Sequence, residues 1–175
     1  MNTALVELWP TVAAARAVFL GALEGVSEAD ALRHPGGVEA EWSVLQVAQH
    51  VLGWTLNVDE VIESAARGVA VPKHPRGHLP AASPGTLAEV RAALTLASAR
   101  FLALAERVPE RADAVLTVNH EVYGDLNYAG WFARCAAHDA GHLEQVLAVK
   151  REFERDSAAP PGRRRGGGDG RGRGV

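Results

Sequence analysis

The chain is poor in the residues that hold small or secreted folds together: one cysteine, one methionine and two tyrosines in 175 residues. A lone Cys135 excludes an intramolecular disulfide and suits a reducing compartment, so the expected location is cytoplasmic. No internal repeat of solenoid period is present. The opening stretch MNTALVELWPTVAAARAVFL has no basic leader and carries Glu7 and Pro10, which argues against a signal peptide or a membrane span. With 47% hydrophobic residues, a chain of this length can bury a substantial core as one domain, without disulfides or a structural zinc.

Positive charge is scarce everywhere except at the end. Six arginines stand against Asp156 and Asp169 after residue 154, so a tail of +4 follows a body of −7 within the net charge of −3. An acidic body is the wrong sign for nucleic-acid binding by the folded domain. Residues 155–175 are rich in Gly, Arg and Pro with almost nothing apolar to bury, so they are expected to be a disordered tail on a domain spanning residues 1–154.

What the chain has is helical periodicity. Leu5, Leu8, Trp9, Val12, Ala15, Phe19 and Leu23 form one apolar stripe over residues 3–23, with Pro10 marking the start of a helix or a kink in a longer one. Residues 24–41 read as a connection with a short helical stretch at Ser27 to Leu32. Ser43 and Gln46 form a capping box, with Trp42 placed to staple onto Val47, and Val47, His50, Val51, Trp54, Val58, Val61 and Ile62 make the second stripe; Asp59 falls on the outward side. Residues 67–85 are a Pro- and Gly-rich crossover. Thr86 and Glu89 cap a third helix that runs to Val108 and Pro109. Residues 110–126 have a brief β-like stretch, but no partner strand is evident elsewhere, so an ordered loop is expected. A fourth helix opens at Asn127 or Asp125 and reaches Phe153. Four single-striped helices bury their stripes against one another, which predicts an all-α four-helix bundle; its long connections permit parallel neighbours.

Histidines then occupy core positions. His138 and His142, at i and i+4, share a helix face with Tyr128, Trp131, Cys135, Val146 and Val149, while His50 sits mid-stripe on the second helix. A single histidine on an apolar face is usually a satisfied core residue. Three in one small core each need a partner for their ring nitrogens, and one divalent metal satisfies all of them. Three neutral imidazoles suit Zn, Ni, Fe, Co or Cu, with Zn and Ni foremost, and leave a coordination position for water or substrate. HDAGH lacks the glutamate that a zincin places after its first histidine, and no Glu-x-x-His pair of the di-iron bundles is present. Asp139 reads as a solvated helix residue, whereas Gln145 can orient an imidazole or a bound water. Trp54, Tyr128, Trp131 and Cys135 read as core packing. His34, His74, His78 and His120 read as loop residues at the surface, with His74 and His78 a weak adventitious metal pair.

Trp42 and Ser43 opening the second helix, His50 seven residues after the cap, and HDAGHLEQ from His138 to Gln145 resemble the DinB-like (DinB/YfiT) superfamily over about residues 3–153. The resemblance implies a bundle of up-down-down-up order and a divalent metal held by His50, His138 and His142. It also implies homodimers, and metal-dependent transferases or isomerases that use a low-molecular-weight thiol on a small-molecule substrate. Two alternatives stay open: a metal-dependent hydrolase, and a metal-binding bundle without turnover.

Overall fold

The computed structural model describes residues 1–34, 38–69, 85–120 and 122–158. His74, His78 and the expected tail beyond residue 158 lie outside these. Four long helices make the body: α1 (Thr3–Ala22), α3 (Val44–Ala66), α4 (Leu87–Leu102) and α6 (Tyr128–Ala158). Short helices α2 (Glu28–Ala31) and α5 (Leu104–Arg107), a 3-10 turn at Glu39–Glu41, and a hairpin of β1 (Val118–His120) and β2 (Gly124–Leu126) complete the described elements.

Local chemistry accounts for most of the boundaries. Ser43 Oγ accepts from the Gln46 N–H at 3.2 Å while Gln46 Oε1 accepts from the Ser43 N–H at 2.8 Å, so two otherwise orphaned donors are satisfied reciprocally at the start of α3. Thr86 and Glu89 form the same box on α4. The Glu28 carboxylate of α2 adds to it by accepting from the N–H groups of Leu87 and Ala88 at 2.8 and 2.9 Å, which anchors the otherwise minor α2 to the N-terminus of α4. Asn127 caps α6, its Oδ1 accepting from the Gly130 N–H at 2.9 Å.

One open alternative is settled and three expectations are corrected. Helix α1 begins at Thr3, capped by Asn2, with Pro10 inside it. The third helix breaks at Ala103, and α5 then ends at Val108, whose extended conformation (ψ 131°) is what a following Pro109 demands. The β-like stretch does have a partner, lying within its own segment: Val118 pairs with Leu126 and His120 with Gly124, antiparallel, around a turn with Gly124 at φ 73°. Helix α6 runs to Ala158, past its expected end at Phe153, and Arg33 reaches Asp156 on this last turn at 2.5 Å.

Direction follows from the contacts between ends. Asn2 Nδ2 donates to the Tyr128 hydroxyl at 3.3 Å, and Lys150 Nζ donates to the Ala22 carbonyl at 3.0 Å, so α1 and α6 are parallel. The Asn2 N–H donates to Ala105 O at 2.7 Å, which sets α1 antiparallel to α4 and α5. Arg100 of late α4 meets Asp59 of late α3, making these two parallel, while His50 of α3 meets His142 of α6 and Trp54, a turn later on α3, meets His138, a turn earlier on α6, making α3 and α6 antiparallel. The order is therefore up, down, down, up. Helix α1 meets the length and composition of a membrane span despite Glu7 and Pro10, as core helices and signal sequences also do. Its inner face, Leu5, Val12, Arg16 and Phe19, is buried against the rest of the bundle.

The core comes in two hydrophobic clusters. One gathers Leu5, Val12, Trp54, Val58, Phe101, Trp131 and Phe132; the other gathers Phe19, Leu23, Val44, Val51, Leu87, Leu94 and Val146. Between them lies a polar layer made of Arg16, Ser98, Asp139 and the three histidines, one position from each of the four long helices or more.

Candidate metal centre

Each histidine is placed by its helix. His50 lies two turns after the Ser43 cap on the α6-facing side of α3, and His138 and His142 follow one another by a turn on the α3-facing side of α6. The ring centroids are 5.2 Å apart for His50 and His138, 4.6 Å for His50 and His142, and 4.4 Å for His138 and His142. Nε2 of His50 and Nε2 of His138 stand 3.2 Å apart, and one ligand nitrogen from each ring lies within 4.8 Å of the others. His142 is buried and the other two are half-buried, so the cluster borders solvent on one side.

Surrounding residues fix the rings. Gln145 Nε2 donates to the Glu39 carbonyl at 3.4 Å, which turns Gln145 Oε1 toward His142 Nδ1 at 2.6 Å. An amide oxygen can only accept, so Nδ1 carries the hydrogen and Nε2 of His142 is left with its lone pair free to ligate. The expectation for Gln145 as an orienting residue agrees with this geometry. Trp54 stacks on His138 at 4.2 Å between centroids, 15° from parallel, and Trp42 packs at 5.0 Å against His50. Trp54 is thus both core and wall of the cluster. Tyr128 and Trp131 belong to the core farther along α6, with Trp131 Nε1 donating to the Val118 carbonyl at 3.3 Å.

Asp139 corrects the reading as a solvated residue: it is fully buried and bound by Arg16 through Nε to Oδ2 at 2.6 Å and Nη2 to Oδ1 at 3.1 Å. Arg16 also donates to Ser98 Oγ at 2.7 Å and to Cys135 Sγ at 3.2 Å. The core stripe of α1 runs through Arg16, between Val12 and Phe19, rather than through Ala15. Arg16 was legible as a charge at core spacing, yet nothing in the sequence pairs it with Asp139. Asp59 is likewise buried rather than outward, held by Arg100 and Arg107. His120 is half-buried on β1 against Tyr123 and Trp131, whereas His34 is exposed and paired with Glu152 at 3.0 Å.

Burial sets the electrostatics. It lowers His138 to about 4, with the His142 ring adding to the effect and Asp139, whose Oδ1 is 3.8 Å from His138 Nδ1, opposing it. Burial alone would raise the Asp139 carboxyl, but the His138 ring and the Arg16 guanidinium outweigh it and hold it below the ordinary value. Cys135 is buried and pushed up to about 12, mainly by burial, so it is an inert packing thiol and not a nucleophile. A neutral ring at His138 is the protonation state that metal ligation requires. The donor set fits a divalent ion of the borderline class.

A four-helix bundle with a half-open histidine triad between two of its helices is the class this geometry defines. The family model described as the DinB superfamily matches residues 11–146, and the chain belongs to that superfamily. Among solved structures it is similar to the crystal structure of TT2238, a four-helix bundle protein, with 27% identity, a TM-score of 0.61, and coverage of 82% of this chain and 98% of that one. No protein of curated function matches the sequence.

Proposed function

We propose that His50, His138 and His142 hold one divalent metal, Zn or Ni foremost, and that the protein is a metal-dependent transferase or isomerase using a low-molecular-weight thiol on a small electrophile. The observation that carries this is the convergence of three imidazole nitrogens within 4.8 Å at the edge of the core. Three protein ligands leave at least one position open, which is the form of a catalytic rather than a closed structural site. When bound, the metal supplies an acceptor for a thiolate and lowers the pKa of that thiol. The chain's own residues supply geometry: Gln145 fixes the His142 tautomer, Trp54 and Trp42 brace His138 and His50, and the buried Arg16 and Asp139 pair holds the backbone of α6 behind them.

The location proposed is cytoplasmic, in keeping with a buried free thiol at Cys135. The partner proposed is a second copy. The outer face of α1 carries Val6, Trp9, Pro10, Ala14, Ala17, Val18 and Gly21 with only Glu7 charged, and Leu96 is exposed on neighbouring α4. Two helices of this length present a face roughly 30 Å long, of the order needed for about 800 Å² per partner.

The test is elemental analysis of protein purified without a metal-affinity tag, followed by thiol-dependent loss of a small electrophile with and without chelator. Chelator-sensitive turnover that requires thiol supports the proposal. Chelator-sensitive hydrolysis without thiol would replace it with the hydrolase reading, and bound metal without either activity with a non-catalytic one.

A further inference from the structure

One arginine, a helical turn before His138, stands apart from the rest. Arg16, Arg33, Arg91 and Arg107, the other buried or half-buried arginines among the described residues, each reach a carboxylate. Arg134 is half-buried and reaches none among the described residues; its guanidinium carbon lies over the Tyr123 ring, 3.4 Å from the centroid, and its Nε is buried without a hydrogen-bond partner. In a body of net charge −7 this is not for want of acidic residues. A desolvated N–H without an acceptor costs free energy, and the aromatic ring holds the face of the guanidinium while leaving its edge donors open.

Its position matters as much as its lack of a partner. Arg134 precedes His138 by four residues on α6, about one turn or 6 Å along the axis, on the same side of the helix. The hairpin that carries Tyr123 therefore holds a cation borne on α6 one helical turn from a proposed metal ligand. A metal–sulfur bond of about 2.3 Å and a charge-assisted hydrogen bond of about 2.8 Å bracket a ligand that spans this gap. We infer that Arg134 recognises an anionic group of the molecule bound at the triad, so that the thiol taken there carries a carboxylate a few bonds from its sulfur. This deepens the proposed function and rests on it.

The experiment uses the full chain loaded with Co²⁺ and compares the affinities of mercaptosuccinate and 2-mercaptoethanol from the change in the metal's visible spectrum, in wild type, Arg134→Gln and Arg134→Lys. Wild type is expected to prefer mercaptosuccinate by about tenfold or more, the scale of a hydrogen bond to a charged group. Arg134→Gln should bring the ratio close to one with unchanged Co²⁺ affinity and melting temperature, and Arg134→Lys, which keeps the charge but loses the fork, should fall between. A ratio near one in wild type, or one unaltered in Arg134→Gln, overturns the inference while leaving the metal reading intact. Should Co²⁺ fail to bind, the metal reading falls. Succinate titrated into the metal-free chain and followed by tryptophan fluorescence then decides on Arg134: binding abolished by Arg134→Gln supports its role, and binding that is absent or insensitive to the substitution overturns it.

Discussion

Replacing Arg16 by Met tests the polar layer at its most constrained point. The guanidinium is 2% exposed and Asp139 is 0% exposed. Four contacts disappear together: two to Asp139 at 2.6 and 3.1 Å, one to Ser98 at 2.7 Å and one to Cys135 at 3.2 Å. Methionine fills much of the volume, so the loss is dominated by a carboxylate left buried without its counter-charge, which costs about 3 to 5 kcal/mol. Urea unfolding followed by circular dichroism measures it. Arg16→Met/Asp139→Leu removes both charges, and its stability is expected to return to within about 1 to 2 kcal/mol of wild type, because an apolar pair of similar volume replaces a buried ion pair at little net cost. A single variant that loses less than about 1 kcal/mol, or a double variant no more stable than the single, would refute the reasoning.

Apoprotein stability should fall as pH drops from 6.5 toward 4, by up to about 3 kcal/mol, because the unfolded His138 takes up a proton in that window while the folded ring, with its pKa near 4, does not; urea midpoints of wild type and His138→Leu across pH 4 to 7 check it, the variant being flatter. Asp139, held below 3.8, adds its own loss only under more acidic conditions. His142→Ala should weaken metal binding by orders of magnitude and leave the apoprotein folded, read by metal titration and unfolding side by side; unchanged metal affinity would remove His142 from the site. Trp9→Glu should convert a dimer to a monomer in light scattering, and a wild type that is already monomeric sinks the proposed interface. Deleting residues 159–175 should leave the melting temperature unchanged, since the segment has almost no apolar side chains to bury; a large loss would show that it docks.

By itself the sequence determined what is local. The capping boxes at Ser43 and Thr86 work within one helical turn, and the stripes of α3, α4 and α6 record which face each helix must bury, so the bundle and most helix starts were legible. His138 and His142 were legible for the same reason, being one turn apart on a core stripe, and His50 because a histidine interrupts an apolar face. Tertiary structure decided the rest. Arg16 and Asp139 are separated by 123 positions, and a carboxylate on a helix surface looks the same in sequence whether it meets water or a buried guanidinium. Asp59 became buried through Arg100 and Arg107 in the same way. Only packing also revealed that Gln145 turns toward His142 because Glu39 O holds its amide, and that Arg134 lacks a carboxylate. Periodicity says which face of a helix is buried, because that depends on the helix alone; which charge lies opposite depends on how the helices are arranged, and that is fixed only when they pack.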